Sequence, residues 1–240
     1  NGSSASSTLH FDTFKAMFLW EGEDWDYSSG QYLNNPVPTS TAAANSYFGL
    51  VGVQGVDENE TGTDPANMYR AGDPMAAGPC GDVPRQKYVD AQALDSNVND
   101  WNVGWFDAGQ WVNYTRNFPA GTYNLYARLA NGNGGTATVY LDQITSGQGT
   151  ASQGTLSLGS FQFPAQGWGT YSYVPLRDRY GNIAELALSG VTTLRATAGG
   201  ANMNFFMLAT PRNDLPRISD VYPDGTLELQ ATNTFRFTAS

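Results

Sequence analysis

GTYNLYARLANGNGGTATVYLD, residues 121–142, decides the fold class. Tyr123, Leu125, Ala127 and Leu129 alternate with Asn124, Tyr126 and Arg128, the two-residue period of a strand with one buried face. NGNGG supplies a turn, and Ala137, Val139 and Leu141 then share one face of a second strand. The same signs, followed outward, predict strands over 155–163, 170–176, 183–188, 191–197 and 202–209, with almost no helix. Short strands at this spacing predict an all-β, antiparallel β-sandwich, a jelly roll.

Upstream, residues 28–100 are irregular and rich in Asn, Asp, Pro and Gly. A loop region that long either carries function or is ordered by an ion. Phe11, Phe14 and Phe18 have helical spacing, but their β-rich surroundings favour an extended lead into LWEGEDW (19–25). The expected division is a polar leader and lead-in strand over 1–19, the sandwich over 20–210, and a third segment over 211–240. That last piece carries two prolines and then a P-D-G turn between strand-like runs, the opening of a following immunoglobulin-like β module. The chain is accordingly expected to be part of a multimodular protein.

With 40% hydrophobic and 13% aromatic residues among 240, the core needs no disulfide, and Cys80, the only cysteine, allows none within the chain. Charged residues are 14%, against roughly 25% in an average domain. The surface is therefore dressed with Asn, Gln, Ser, Thr and Gly, which suits an extracellular protein that meets neutral polymers. Net charge is −10 and no basic run occurs, so nucleic acid is a poor partner. No apolar run approaches the ~18 residues of a membrane span.

Catalytic motifs are scarce. His10 is the sole histidine and sits in the leader, which makes a Ser-His-Asp triad or a His-rich zinc site implausible. Neither a G-x-S-x-G elbow nor a P-loop occurs. Nothing singles out a glycosidase pair among the 22 acids. DENETG (57–62) starts like a calcium loop, but its twelfth position is Met68 instead of a bidentate Glu, so it reads as a solvated acidic loop. Glu21 and Glu23 share one face of a strand, where like charges need solvent or a bridging cation. Calcium and an exposed acidic edge both fit that pair.

Four pieces, in order, resemble the family 6 carbohydrate-binding modules and their relatives: LWEGEDWDY (19–27), NVGWFDAGQWVNYTRNFPAGTYNLYARLA (102–130), AQGWGTY (165–171) and ANMNFFML (201–208). The second is the most specific. The resemblance implies a lectin-like sandwich that binds neutral glycans, with Trp105 and Trp168 flanking a sugar and Asn202 bonding its hydroxyls. It also implies a structural Ca2+ on Glu21, Glu23 and Asn204. Two positions depart from the family pattern: Gln110 and Asn204 stand where Asp is frequent. The expected function is non-catalytic binding of a neutral plant or algal β-glycan, with partners limited to that glycan and to adjacent domains. A glycan-cleaving enzyme using carboxylates of the long loop is one alternative. The other is a structural module whose cleft the loop fills. Trp105 precedes a D-A-G turn and Trp168 sits between glycines, positions that present an indole more readily than they bury it. Trp111, opposite Val112, Tyr114 and Phe118 by alternation, is assigned to packing.

Overall fold

A computed structural model describes residues 15–62, 65 and 67–211. The leader with His10, Phe11 and Phe14, and the further β module expected beyond Pro211, lie outside the described residues.

The organising element is β5 (Trp111–Ala130), a strand of 20 residues. Its first part pairs with β9 (Glu185–Thr197), which in turn pairs with β6 (Thr136–Ser146), itself paired with β7 (Gly154–Pro164). Its second part pairs with β10 (Ala201–Ala209) on one side and β8 (Ser172–Pro175) on the other. β10 also pairs with β1 (Ala16–Glu21) and β4 (Trp101–Phe106), and two short strands, β2 (Glu58–Asn59) and β3 (Ala77–Pro79), add to β5 and β4. All these pairs are antiparallel and the sheet stays open, folding into the expected sandwich. Along its pairing with β9, β5 has an extra residue between Phe118 and Gly121, and β10 takes over from Asn124 onward. Pro119, which has no N–H to give a ladder, falls in that bulge.

The hairpin at 121–142 forms as its alternation predicts. Tyr123, Leu125, Ala127, Leu129, Ala137, Val139 and Leu141 are all buried in the main core. Val112, Tyr114 and Phe118 join them, while Trp111 is half-buried with the Arg195 guanidinium 3.6 Å from its ring centre. Three features differ from the sequence reading. The strands expected at 183–188 and 191–197 are one, because Gly190 takes a positive φ of 67° opposite the bulge and the ladder continues through it. Tyr126 and Asn124 are also buried, since Tyr126 packs with Phe205 and Met207 in a second, smaller cluster. And the long segment holds a helix, α1 (Gln86–Gln92), which buries Tyr88.

The long segment is fastened by buried charges. Asp57 accepts the backbone N–H groups of Ser29 (2.9 Å), Gly30 (2.6 Å) and Val53 (3.0 Å). Asp73 accepts those of Gly52 (2.7 Å) and Met75 (3.1 Å). Arg70, fully buried, donates to the carbonyls of Leu50, Trp25 and Asp26, and its guanidinium lies 4.1 Å from the Trp25 ring centre. The acidic run 57–62 is thus not solvated: Asp57, Glu58 and Glu60 are buried, as irregular backbone in an interior needs acceptors for its N–H groups.

Candidate functional site

β4 begins with alternation that would put Trp105 on the same inward face as Val103. It does not end that way. Between Phe106, opposite Ala201, and Val103, opposite Met203, β4 has one residue more than β10. Trp105 absorbs this bulge with a φ of 51°, rare for a bulky residue. Its indole is turned out of the core and is 53% exposed, while Val103 and Phe106 stay buried. The ring's edge reaches back over Gly78, whose missing β-carbon would lie 3.6 Å from Cζ3.

Trp168 arrives from another direction. The turn closed by the Thr170 N–H on the Gly167 carbonyl (3.1 Å) carries it, with Gly167 at a φ of 111°. The N–H groups of Gln166 and Gly167 both donate to the Asn131 carbonyl, tying this turn to NGNGG. One face of the indole rests on Gly132, where a β-carbon would overlap the ring. The residue remains 45% exposed. Asn202 Nδ2 donates to the Trp168 carbonyl at 3.3 Å.

Trp105, Trp168 and Asn202, the three residues expected to meet sugar, line a single cleft of about 490 Å³. This lies within the roughly 300–1,000 Å³ of small-ligand sites. Pro65, Met68, Ala77, Gly78, Pro79 and Gly81 of the long segment form one wall without covering either indole. Asp107 is the only charged side chain lining the cleft among the described residues. Sequence reasoning missed three contributors: Asn102 and Gly104 in the floor, and Gly132 beneath Trp168. NGNGG was visible as a turn, but its role as a platform depends on a loop more than thirty residues away.

Gln110, where the family pattern has Asp, is buried and uses both ends of its amide. Its Oε1 accepts the Asp107 N–H at 2.7 Å, and its Nε2 donates to Glu60. Aspartate there could not donate, and would set two carboxylates against each other.

The acidic residues proposed for calcium lie elsewhere, at the end of β1. Glu21 is held by Arg85, whose Nη2 is 2.6 Å from Oε2, and by Lys87. The same guanidinium grips Asp100 at 2.6 Å. Asn204 is engaged at both ends: its Nδ2 donates to Asp100 (2.8 Å) and the Trp101 carbonyl (2.7 Å), and its Oδ1 accepts from Arg128 (2.7 Å). Glu23 is buried, accepts from the Tyr88 hydroxyl at 3.2 Å through Oε1, and leaves Oε2 without a partner. Burial, then the charges of Glu21 and Asp24, raise its carboxyl well above the usual range. Repulsion between the two glutamates is offset here by the Arg85 guanidinium on Glu21. Among the described residues no group of three or more His, Cys, Asp or Glu is arranged to hold a metal ion. Glu21 and Asn204 are thus engaged by protein donors, and of the three residues expected to hold calcium Glu23 alone keeps an oxygen without a partner among the described residues.

Cys80 is half-buried beside the Trp101 carbonyl, and burial followed by the nearby Asp100 charge pushes its thiol up, away from reactive thiolate. No helix among the described residues is long and apolar enough to cross a membrane.

No family model matches the chain, and no curated protein matches it. Several solved structures are similar over part of it. A family 6 carbohydrate-binding module from Clostridium cellulolyticum, in complex with xylose, is 17% identical over 56% of this chain and 86% of its own, with a TM-score of 0.36. A carbohydrate-binding module from Cellvibrio mixtus lichenase 5A, in complex with cellotriose, is 26% identical over 47% and 79%, with a TM-score of 0.34. The C-terminal module of a marine laminarinase from Zobellia galactanivorans is 19% identical over 57% and 88%, with a TM-score of 0.35.

Proposed function

We propose that this chain is a non-catalytic carbohydrate-binding module of the family 6 kind, which holds a neutral β-glycan in the cleft between Trp105 and Trp168. One observation carries the reading: two half-exposed indoles, one from the bulge in β4 and one from the 167–170 turn, converge with Asn202 on one open cleft. A pyranose presents a face of C–H groups and a rim of hydroxyls, which an indole face and side-chain amides match. One exposed indole face of about 100 Å² contributes roughly 2–3 kcal/mol at ~25 cal/mol/Å². Two such faces with hydrogen bonds, less the cost of ordering, correspond to a Kd between about 1 mM and a few μM.

Holding Trp105 at a positive φ costs on the order of 1–3 kcal/mol, a strain more in keeping with a binding residue than with packing. Hydrolysis needs two carboxylates flanking the bond, and Asp107 alone lines the cleft among the described residues. The module's role is then delivery: it keeps an attached glycoside hydrolase, or an exported protein of another kind, on the polysaccharide. Glycan-array binding by the intact chain, paired with reducing-end release on the bound polysaccharides, tests this. Binding without release is expected. Release by the chain alone would establish the enzyme alternative instead.

A further inference from the structure

The floor of the cleft is more selective than the two indoles. Asn102 is 3% exposed and its Nδ2 donates to the Gly78 carbonyl at 2.9 Å, which turns Oδ1 the other way. That oxygen is buried and has no hydrogen-bond partner among the described residues. A buried acceptor of this kind is costly unless something satisfies it. Asn202 is oriented in the same manner, its Nδ2 on the Trp168 carbonyl. The two carbonyl oxygens flank Gly104: a β-carbon there would sit 3.6 Å from Asn102 Oδ1 and 3.6 Å from Asn202 Oδ1. Asp107, the charged residue lining the cleft, is an acceptor too.

Resting on the sugar-binding reading, we infer that Asn102 and Asn202 form a pair of acceptors over Gly104 that takes two neighbouring free hydroxyls of the bound sugar as donors. Each amide is anchored from behind by a main-chain carbonyl, so the oxygens face the ligand in a fixed orientation. A hydroxyl donates as well as accepts, so a vicinal diol satisfies both oxygens. An O-methyl or anhydro position brings no proton. An O-sulfate brings none either, and adds a negative charge beside Asp107. Asn102 is thereby a specificity-determining residue, and free neighbouring hydroxyls are what the cleft requires. The aromatic faces, by contrast, accept many pyranoses.

Gly104→Ala isolates this claim. The added methyl makes ordinary contacts with the two amide oxygens, and the backbone at Gly104 is not in the left-handed region. Titration calorimetry would use cellohexaose, laminarihexaose and xylohexaose. For each one that binds the wild type, its per-O-methylated form is titrated into the wild type and its native form into the variant. At least a ~10-fold loss is expected in both arms, with the variant's melting temperature unchanged. Native affinity in both arms would overturn the acceptor pair while leaving the sugar site standing. The methylated arm does not depend on the variant's folding, so a destabilised variant leaves that arm to decide. Absence of binding by every glycan, wild type included, would overturn the site itself, and this inference with it.

Discussion

Trp168 lies flat on Gly132, whose missing β-carbon would fall among the indole atoms Cγ, Cδ1 and Cδ2. The cleft's platform is therefore set by the NGNGG turn as much as by the tryptophan. Gly132→Val fills that space with a branched side chain and must displace the ring. Gly132 has no positive φ, so the backbone tolerates the change. Glycan affinity is expected to fall by at least about 10-fold, while the melting temperature moves by less than roughly 3 °C. Binding at the wild-type level would show that Trp168 is not the stacking face.

The charge cluster at the end of β1 makes a separate prediction. Arg85→Met leaves Glu21 and Asp100 without their guanidinium in a largely buried place. A loss of about 3 kcal/mol is expected, read as a lower denaturation midpoint. EDTA should leave the wild-type melting temperature unchanged, because Arg85 supplies the positive charge. A clear fall with EDTA, reversed by added Ca2+, would put a structural calcium at Glu21 and Glu23 after all.

Stability should also depend on pH with an unusual sign. Burial raises Asp26 to about 7, against the opposing pull of Arg116 and Thr115. Burial and then the charge of Asp73 raise Glu58 to about 7 as well. Both groups hold a proton more tightly when folded, so their contribution is complete below about pH 4 and disappears as pH rises through about 7. Asp100 runs the other way. Burial opposes its ionisation, but hydrogen bonds and charge from Arg85 hold it below the usual range, so its contribution is lost only at still lower pH. The melting temperature is expected to be higher near pH 5 than near pH 8, by on the order of 5 °C. Scanning calorimetry across that range checks the sign, and Glu58→Gln, which mimics the protonated state, should flatten the slope.

Gln110→Glu tests the departure at that position. The substitution removes a donor from Glu60 and places two carboxylates together in a buried site. Destabilisation of about 2–4 kcal/mol is expected at neutral pH, shrinking in acid as the pair takes up a proton. An unchanged denaturation midpoint at pH 7 would show that Glu60 does not need the amide.

The period-two pattern at 121–142 was enough to predict the sandwich, because a strand with one core face must alternate. The one-sided pattern could not show that Tyr126 and Asn124 would be buried too, since their cover comes from distant residues. The continuity of β9 was hidden for a related reason: Gly190 reads as a break, and only the partner bulge shows it as a kink within one strand. At the site, glycine-flanked Trp168 was legible as a presented indole. Trp105 was legible as near a turn, but the bulge that turns it out depends on the register between β4 and β10. Asn102 and Gly104 were not legible at all, as a buried amide in a strand carries no local signal. The acidic run 57–62 misled, because acceptors needed by buried backbone look, in sequence, like solvated charge.

The central claim is that Trp105 and Trp168 hold the ligand from two sides of one cleft. Retardation in a native gel containing the bound polysaccharide measures it most directly, with Trp105→Ala and Trp168→Ala run beside the wild type. Removing either exposed face, worth roughly 2–3 kcal/mol, should weaken retention by about 30-fold or more and bring both variants close to the mobility in a gel without polysaccharide. Wild-type retention by both variants, with their folds intact, would contradict it.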